Sequence, residues 1–191
     1  MELLLVFIAS FVGSGLKAIG GFGFATLTTP AVALFWDVPT AIAVISVPTM
    51  LTSILNGWRA REALPEGFKP FIPFFLASIA GLGIGLTLLL KADPGMMKFI
   101  LGAFLLGQVI WQWVHRESAK PPENSPARAV GMGAVAGVML GTVGMPSHII
   151  ASYLTGLRLS KSRYLLVLSV SQVCLRLVAV ASLLAAGAYS R

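Results

Sequence analysis

The chain has 191 residues, is 57% hydrophobic and only 11% charged, and carries a net charge of +7. A soluble domain carries roughly a quarter charged residues, so this composition belongs to an integral membrane protein. The basic residues stand singly at the ends of apolar stretches instead of alternating with aromatics, which argues against a nucleic-acid partner.

A spanning helix needs about 20 apolar residues to cross about 30 Å of hydrocarbon. Residues 2–36 form one apolar stretch, too long for one crossing and interrupted between Gly13 and Gly23. It reads as a broken helix pair. Apolar chain continues directly after it and no basic segment precedes it, so it does not read as a removable signal peptide. Residues 39–57, 69–90 and 95–114 follow as spans, the first closed by Trp58, Arg59 and Arg61 and the last bearing Trp111 and Trp113. Aromatic and basic residues at such ends are interfacial anchors. A polar, proline-containing linker at 115–127 then divides the chain. Beyond it, 128–157 reads as a second broken pair and 163–187 as one long span.

The two parts share a register. A shift of 123 positions aligns Gly21 with Gly144, Thr29 with Ser152, and Ile45-Ser46-Val47 with Leu168-Ser169-Val170. The expected fold class is therefore an all-α transmembrane helical bundle of two inverted repeats, 1–114 and 128–191. Each opens with a broken, re-entrant-like helix pair. In this register the second repeat is incomplete, lacking counterparts of 69–90 and 95–114, which suggests a truncated chain or a homo-oligomer. If each broken pair returns to its own side, nine basic residues (Arg59, Arg61, Lys69, Arg116, Lys120, Arg128, Arg158, Lys161 and Arg163) share one face. Only Lys91, Lys98 and Arg191 lie on the other. The positive-inside bias makes the first face, and the linker 115–127, cytoplasmic. The location expected is the inner membrane, crossed several times.

Helix breaks survive in lipid only when buried in protein or lining a cavity, and matched Gly/Pro interruptions in two halves point to a transporter's binding site. Helix starts after the breaks would aim unpaired N–H groups and the positive dipole end at a ligand. Gly20, Gly21, Gly23, Gly144, Pro146 and Ser147 are the candidates to build such an anion cradle. The competing reading is that these glycines only permit tight helix packing. That bland role is assigned to Gly81, Gly83 and Gly85 and to Gly131, Gly133 and Gly137. Two charges fall inside apolar spans, Lys17 and Arg176, while all seven carboxylates lie at ends or in loops. An intramembrane charge marks a functional candidate; the alternative is snorkelling to an interface. His148, one turn after Gly144, is a candidate donor or proton carrier. Thr28, Thr29, Ser46, Thr49, Ser147, Ser169 and Gln172 are candidate neutral donors. The single cysteine, Cys174, reads as a small packing residue, and no metal-ligand spacing exists. No metal, cofactor or catalytic constellation is expected, since an intramembrane enzyme would need a nucleophile–base pair or a metal within the spans.

Gly13-Ser-Gly through Gly20-Gly-Phe-Gly-Phe with Thr29-Pro30, and then Gly137, Gly141 and Gly144-Met-Pro with Tyr153-Leu-Thr-Gly156, resemble the two Gly-rich openings of the TauE/SafE family of membrane proteins. The resemblance spans essentially the whole chain, although members of that family usually run longer. It implies export of a small sulfur-containing anion such as sulfite or an organosulfonate. The residues by themselves indicate only a positive, broken-helix interior, and an anion channel or a non-transporting membrane scaffold stays open beside an exporter.

Overall fold

The computed structural model describes residues 2–20, 24–114 and 125–185, and these are helical without strands. In chain order the helices are α1 (Glu2–Gly20), α2 (Phe24–Ala33), α3 (Val38–Arg59), α4 (Ile72–Lys91), α5 (Pro94–Val114), α6 (Pro126–Val143), α7 (Ser147–Thr155) and α8 (Lys161–Ala185). Two 3-10 turns, Arg61–Glu66 and Lys69–Phe71, join α3 to α4. Among the described residues four stretches are long and apolar enough to cross a membrane: Val38–Arg59, Lys69–Lys91, Pro126–Val143 and Lys161–Ala185. Shorter apolar runs occupy Leu4–Gly15, Phe24–Ala33 and Gly95–Gly107.

Local chemistry sets several of the helix ends. Asp37 accepts from the Thr40 N–H at 3.3 Å, and Ser125 accepts from the Arg128 N–H at 3.2 Å. Each is followed by a proline or places one in the first turn, where its missing N–H costs nothing. The interruption expected within Gly20 to Phe24 falls on residues 21–23, outside the described residues. α6 ends at Val143 on Gly144, whose left-handed φ of 74° suits a residue without a Cβ.

Neighbour contacts fix the helix directions. α4 and α6 run side by side in the same direction, with Phe74 against Gly133, Ser78 against Gly137, and Gly85 and Leu86 against Gly141. A Cβ on Gly133 or Gly137 would overlap the carbonyl oxygen of Phe74 or Ser78, and one on Gly81 the carbonyl oxygen of Ala134. Lipid tails are as apolar as leucine, so close backbone approach of this kind is what holds membrane helices together. Gly83 and Gly131 take no part, contrary to the packing role their sequence context suggests: a Cβ on either meets nothing within 4 Å. Each lies two positions, about 200° of helix rotation, from a seam glycine. Gly141 belongs to the seam instead.

α3 and α8 run in opposite directions, with Gly57 facing Ser169, Ser53 facing Gln172 and Ser46 facing Arg176. α1 and α2 double back on each other, since Gly13 lies against Phe24 and Thr28. α7 likewise returns along α6: the Arg128 guanidinium at the start of α6 sits 5.8 Å from the Tyr153 ring centre and against Gly156. Tyr153 also stacks on Phe74 at the start of α4, ring centres 4.7 Å apart, and Arg163 lies 5.6 Å from the Phe71 ring centre. One end of the bundle thus gathers the α3–α4 connection, the start of α6 and the α7–α8 turn. It carries Arg59, Arg61, Lys69, Arg128, Arg158, Lys161 and Arg163. The opposite end carries Lys91 and Lys98 among the described residues.

Candidate functional site

Lys17 lies in the last turn of α1 and is buried. Its Nζ donates to the Thr49 carbonyl at 2.8 Å and to Ser53 Oγ at 3.0 Å. Ser53 Oγ in turn donates to Gln172 Oε1 at 3.2 Å, linking α1, α3 and α8. Arg176 is 0% exposed. Its Nη1 donates to Ser46 Oγ and its Nη2 to the Gly144 carbonyl, both at 3.1 Å. Neither side chain snorkels; both turn inward and end on the middle of α3.

Their hydrogen-bond partners among the described residues are all neutral. A charge taken into a low-dielectric interior is tolerated only when something compensates it. Further polar atoms of the interior are unmet. The hydroxyls of Thr28, Thr29 and Thr49 and the Nε of Arg176 are buried without a hydrogen-bond partner among the described residues. In lipid each such group costs free energy unless a ligand or water supplies the missing bond.

Gly144 is placed by its conformation and by a shortage of space: a Cβ there would lie 2.9 Å from Ile42 Cγ1. Its N–H is engaged by the Leu140 carbonyl at 3.1 Å, so what it offers the centre is its own carbonyl, to Arg176. Pro146 occupies the N-cap of α7, one position before the first turn, with helical dihedrals; its carbonyl accepts from the N–H groups of Ile149 and Ile150. Ser147 opens α7 and is buried. His148 Nε2 lies 2.6 Å from Thr26 Oγ1, which ties the first turn of α7 to the first turn of α2 across 122 positions. Gly20 is the last residue of α1, while Gly21 and Gly23 lie outside the described residues. Cys174 is exposed on α8, not packed inside, because it points away from the face that carries Gln172 and Arg176.

The residues named from sequence thus fall in three groups: Lys17 and Gln172, both on Ser53; Arg176 with Gly144; and His148 in the first turn of α7. Thr29 lies buried on α2 with its hydroxyl unmet among the described residues. Two partners were not foreseen, Ser53 and Thr26. Ser53 had a readable signal: Ser46, Thr49 and Ser53 follow each other at three- and four-residue spacing, which puts three hydroxyls on one helix face. Ser169, Gln172 and Arg176 repeat that spacing on α8.

Apolar helices wrapped round a buried cationic centre define a multi-pass, all-α membrane protein. The family model described as sulfite exporter TauE/SafE matches residues 5–191, essentially the whole chain, and the protein belongs to that family, one of transporters and not of enzymes. No curated protein and no solved structure matches the chain.

Proposed function

We propose that the protein exports a small sulfur-containing anion across the cytoplasmic (inner) membrane by alternating access between two inverted halves, residues 1–114 and 128–191. The segment 115–127 is their cytoplasmic linker. The observation that carries this reading is the burial of Lys17 and Arg176 with neutral partners only among the described residues. An anion seated between them would supply the missing charge, and membership of the sulfite exporter family supports the sulfur chemistry.

The chain path supports the placement. α1 and α2 turn back from one end of the bundle, α6 and α7 from the other, and both returns abut α3 between Ile42 and Ser53. That stretch is the middle of a 22-residue span. The basic residues gathered at one end support a cytoplasmic assignment for it. In this reading Lys17 and Arg176 supply charge, and Thr29 and Gln172 supply neutral donors. Gly20, Gly21, Gly23 and the turn from Gly144 through Pro146 to Ser147 supply backbone at the two helix starts. His148 supplies a donor or carries a coupling proton. Rocking one half against the other opens the site to alternate faces and strains the Thr26–His148 tie, the direct bond between the two returning helices.

The test is sulfite efflux from proteoliposomes. Lys17→Met and Arg176→Met are each expected to lower flux by roughly tenfold to a hundredfold, the value of one or two charge-assisted hydrogen bonds. Both variants should still insert and elute as monodisperse protein. Undiminished flux in both would move the anion site elsewhere.

A further inference from the structure

A second site lies outside the cationic centre, on the seam between α3 and α8. There lies a cavity of about 390 Å³. Its walls are apolar, from Ile54, Leu64, Leu166, Val170 and Val173, and Ser53 lines it on the side of the middle of α3. Its mouth lies at the basic end of the bundle, where Arg61 and Trp58 line it. From Ser53 to Arg59, the end of α3, is six residues, about 9 Å along the helix axis, and Arg61 follows in the next turn.

The two mouth residues form a built unit. The Arg61 guanidinium lies 4.6 Å from the Trp58 ring centre, and its Nη1 donates to the Trp58 carbonyl at 3.2 Å. The side chain is exposed, and this is its one hydrogen bond among the described residues. Stacking on the ring fixes the plane of the guanidinium and leaves N–H groups for a phosphate, which that fork suits. Tryptophan and arginine at such a depth sit at headgroup level. Arg59, Lys161 and Arg163 at the same end add positive charge, against Glu62 in the turn beside Arg61. An apolar cavity among exposed apolar side chains, with a cationic side chain at the basic end of the bundle, matches one ligand in both its parts.

We propose that this cavity is a binding site for an anionic phospholipid, with its phosphate on Arg61 and one acyl chain lying between α3 and α8 as far as Ser53. The site does not depend on the export reading, because it involves neither Lys17 nor Arg176 directly. It does share a wall with the centre. Ser53, at the inner end of the chain's path, is the residue that holds Lys17 and Gln172.

The experiment reads lipid selectivity at Trp58 in the full-length chain, with Trp36, Trp111 and Trp113 replaced by phenylalanine. The protein is placed in phosphatidylcholine vesicles doped with a small, fixed fraction of either brominated phosphatidylglycerol or brominated phosphatidylcholine. One arginine at a membrane surface favours an anionic lipid by roughly fivefold. Quenching of Trp58 by the brominated phosphatidylglycerol should exceed that by brominated phosphatidylcholine by about that factor. Arg61→Gln should remove most of the preference, leaving what Arg59, Lys161 and Arg163 supply, and Arg61→Lys should restore most of it. Val173→Phe, which fills the cavity from α8, should lower quenching by both lipids. Equal quenching by the two lipids in the parent protein overturns the proposal. So does weak quenching accompanied by efficient Cys174–Cys174 crosslinking between copies, since a second copy of the chain would then cover the cavity.

Discussion

The α4–α6 seam and the α3–α8 seam are built in opposite ways. Along the first, glycines bring two backbones into contact and leave room for nothing else. Along the second, the contact is made by Ser46, Ser53, Gln172 and Arg176, and polar atoms of Thr49 and Arg176 remain unmet among the described residues. A seam of touching backbones resists sliding, because a slide drives carbonyl oxygens into Cα atoms, but it can still serve as the line about which two halves pivot. A seam of side-chain hydrogen bonds has several arrangements, because long side chains can exchange partners. The contrast assigns the pivot between the halves to α4 and α6 and the adaptable, ligand-bearing part to α3, α8 and the two returning helices.

The harshest way to break the comparison is to put a side chain into the glycine seam. Gly137→Leu forces atoms into the Ser78 carbonyl and the Leu82 N–H. It should cost about 3 kcal/mol or more and yield little folded protein in a detergent melt. Gly83→Ala, on the open face of the same α4, is its control. It should leave the melt unchanged or raise stability by about 0.5–1 kcal/mol, the usual gain of alanine over glycine inside a helix.

The adaptable seam should respond differently, losing function before stability. His148→Gln keeps a hydrogen-bonding group near Thr26 but removes the proton site. If His148 carries the coupling proton, downhill sulfite exchange should persist while the response of efflux to an imposed pH gradient disappears. An unchanged response would take His148 out of the coupling and leave it a structural tie between α2 and α7. Ser53→Ala is the mildest change. It removes one of the two acceptors of the Lys17 ammonium, the Thr49 carbonyl remaining, and the neutral donor to Gln172, for a net loss of about 1 kcal/mol. Sulfite efflux should fall by roughly fivefold, with a melt close to that of the parent protein.

The two seams also differed in how far they could be read in advance. Lys17 and Arg176 stood out because a charge in an apolar run marks a functional candidate, with snorkelling as the ordinary alternative. Gly144-Met-Pro stood out because no straight helix tolerates it in mid-span. The apolar segments at 39–57, 69–90 and 163–187 lie within a few residues of α3, α4 and α8. What sequence could not supply was pairing. Arg176 meets Ser46 across 130 positions and Lys17 meets Ser53 across 36, and a serine in a membrane helix carries no mark of its partner. The glycines were the reverse case. Gly83 and Gly85 look equivalent in sequence, yet only Gly85 faces α6, because which face of α4 is covered depends on packing. Thr26 was hidden for a similar reason: its role appears only when the start of α7 is brought against the start of α2.

The central claim is that a small anion neutralises the two buried cations, and equilibrium binding of radiolabelled sulfite to the purified protein tests it without any assumption about the transport cycle. Saturable binding is expected to the parent protein. It should be weakened by Lys17→Met or Arg176→Met and lost in the double variant, with the fold retained by circular dichroism. Sulfite bound equally well by the parent protein and the folded double variant would contradict the account.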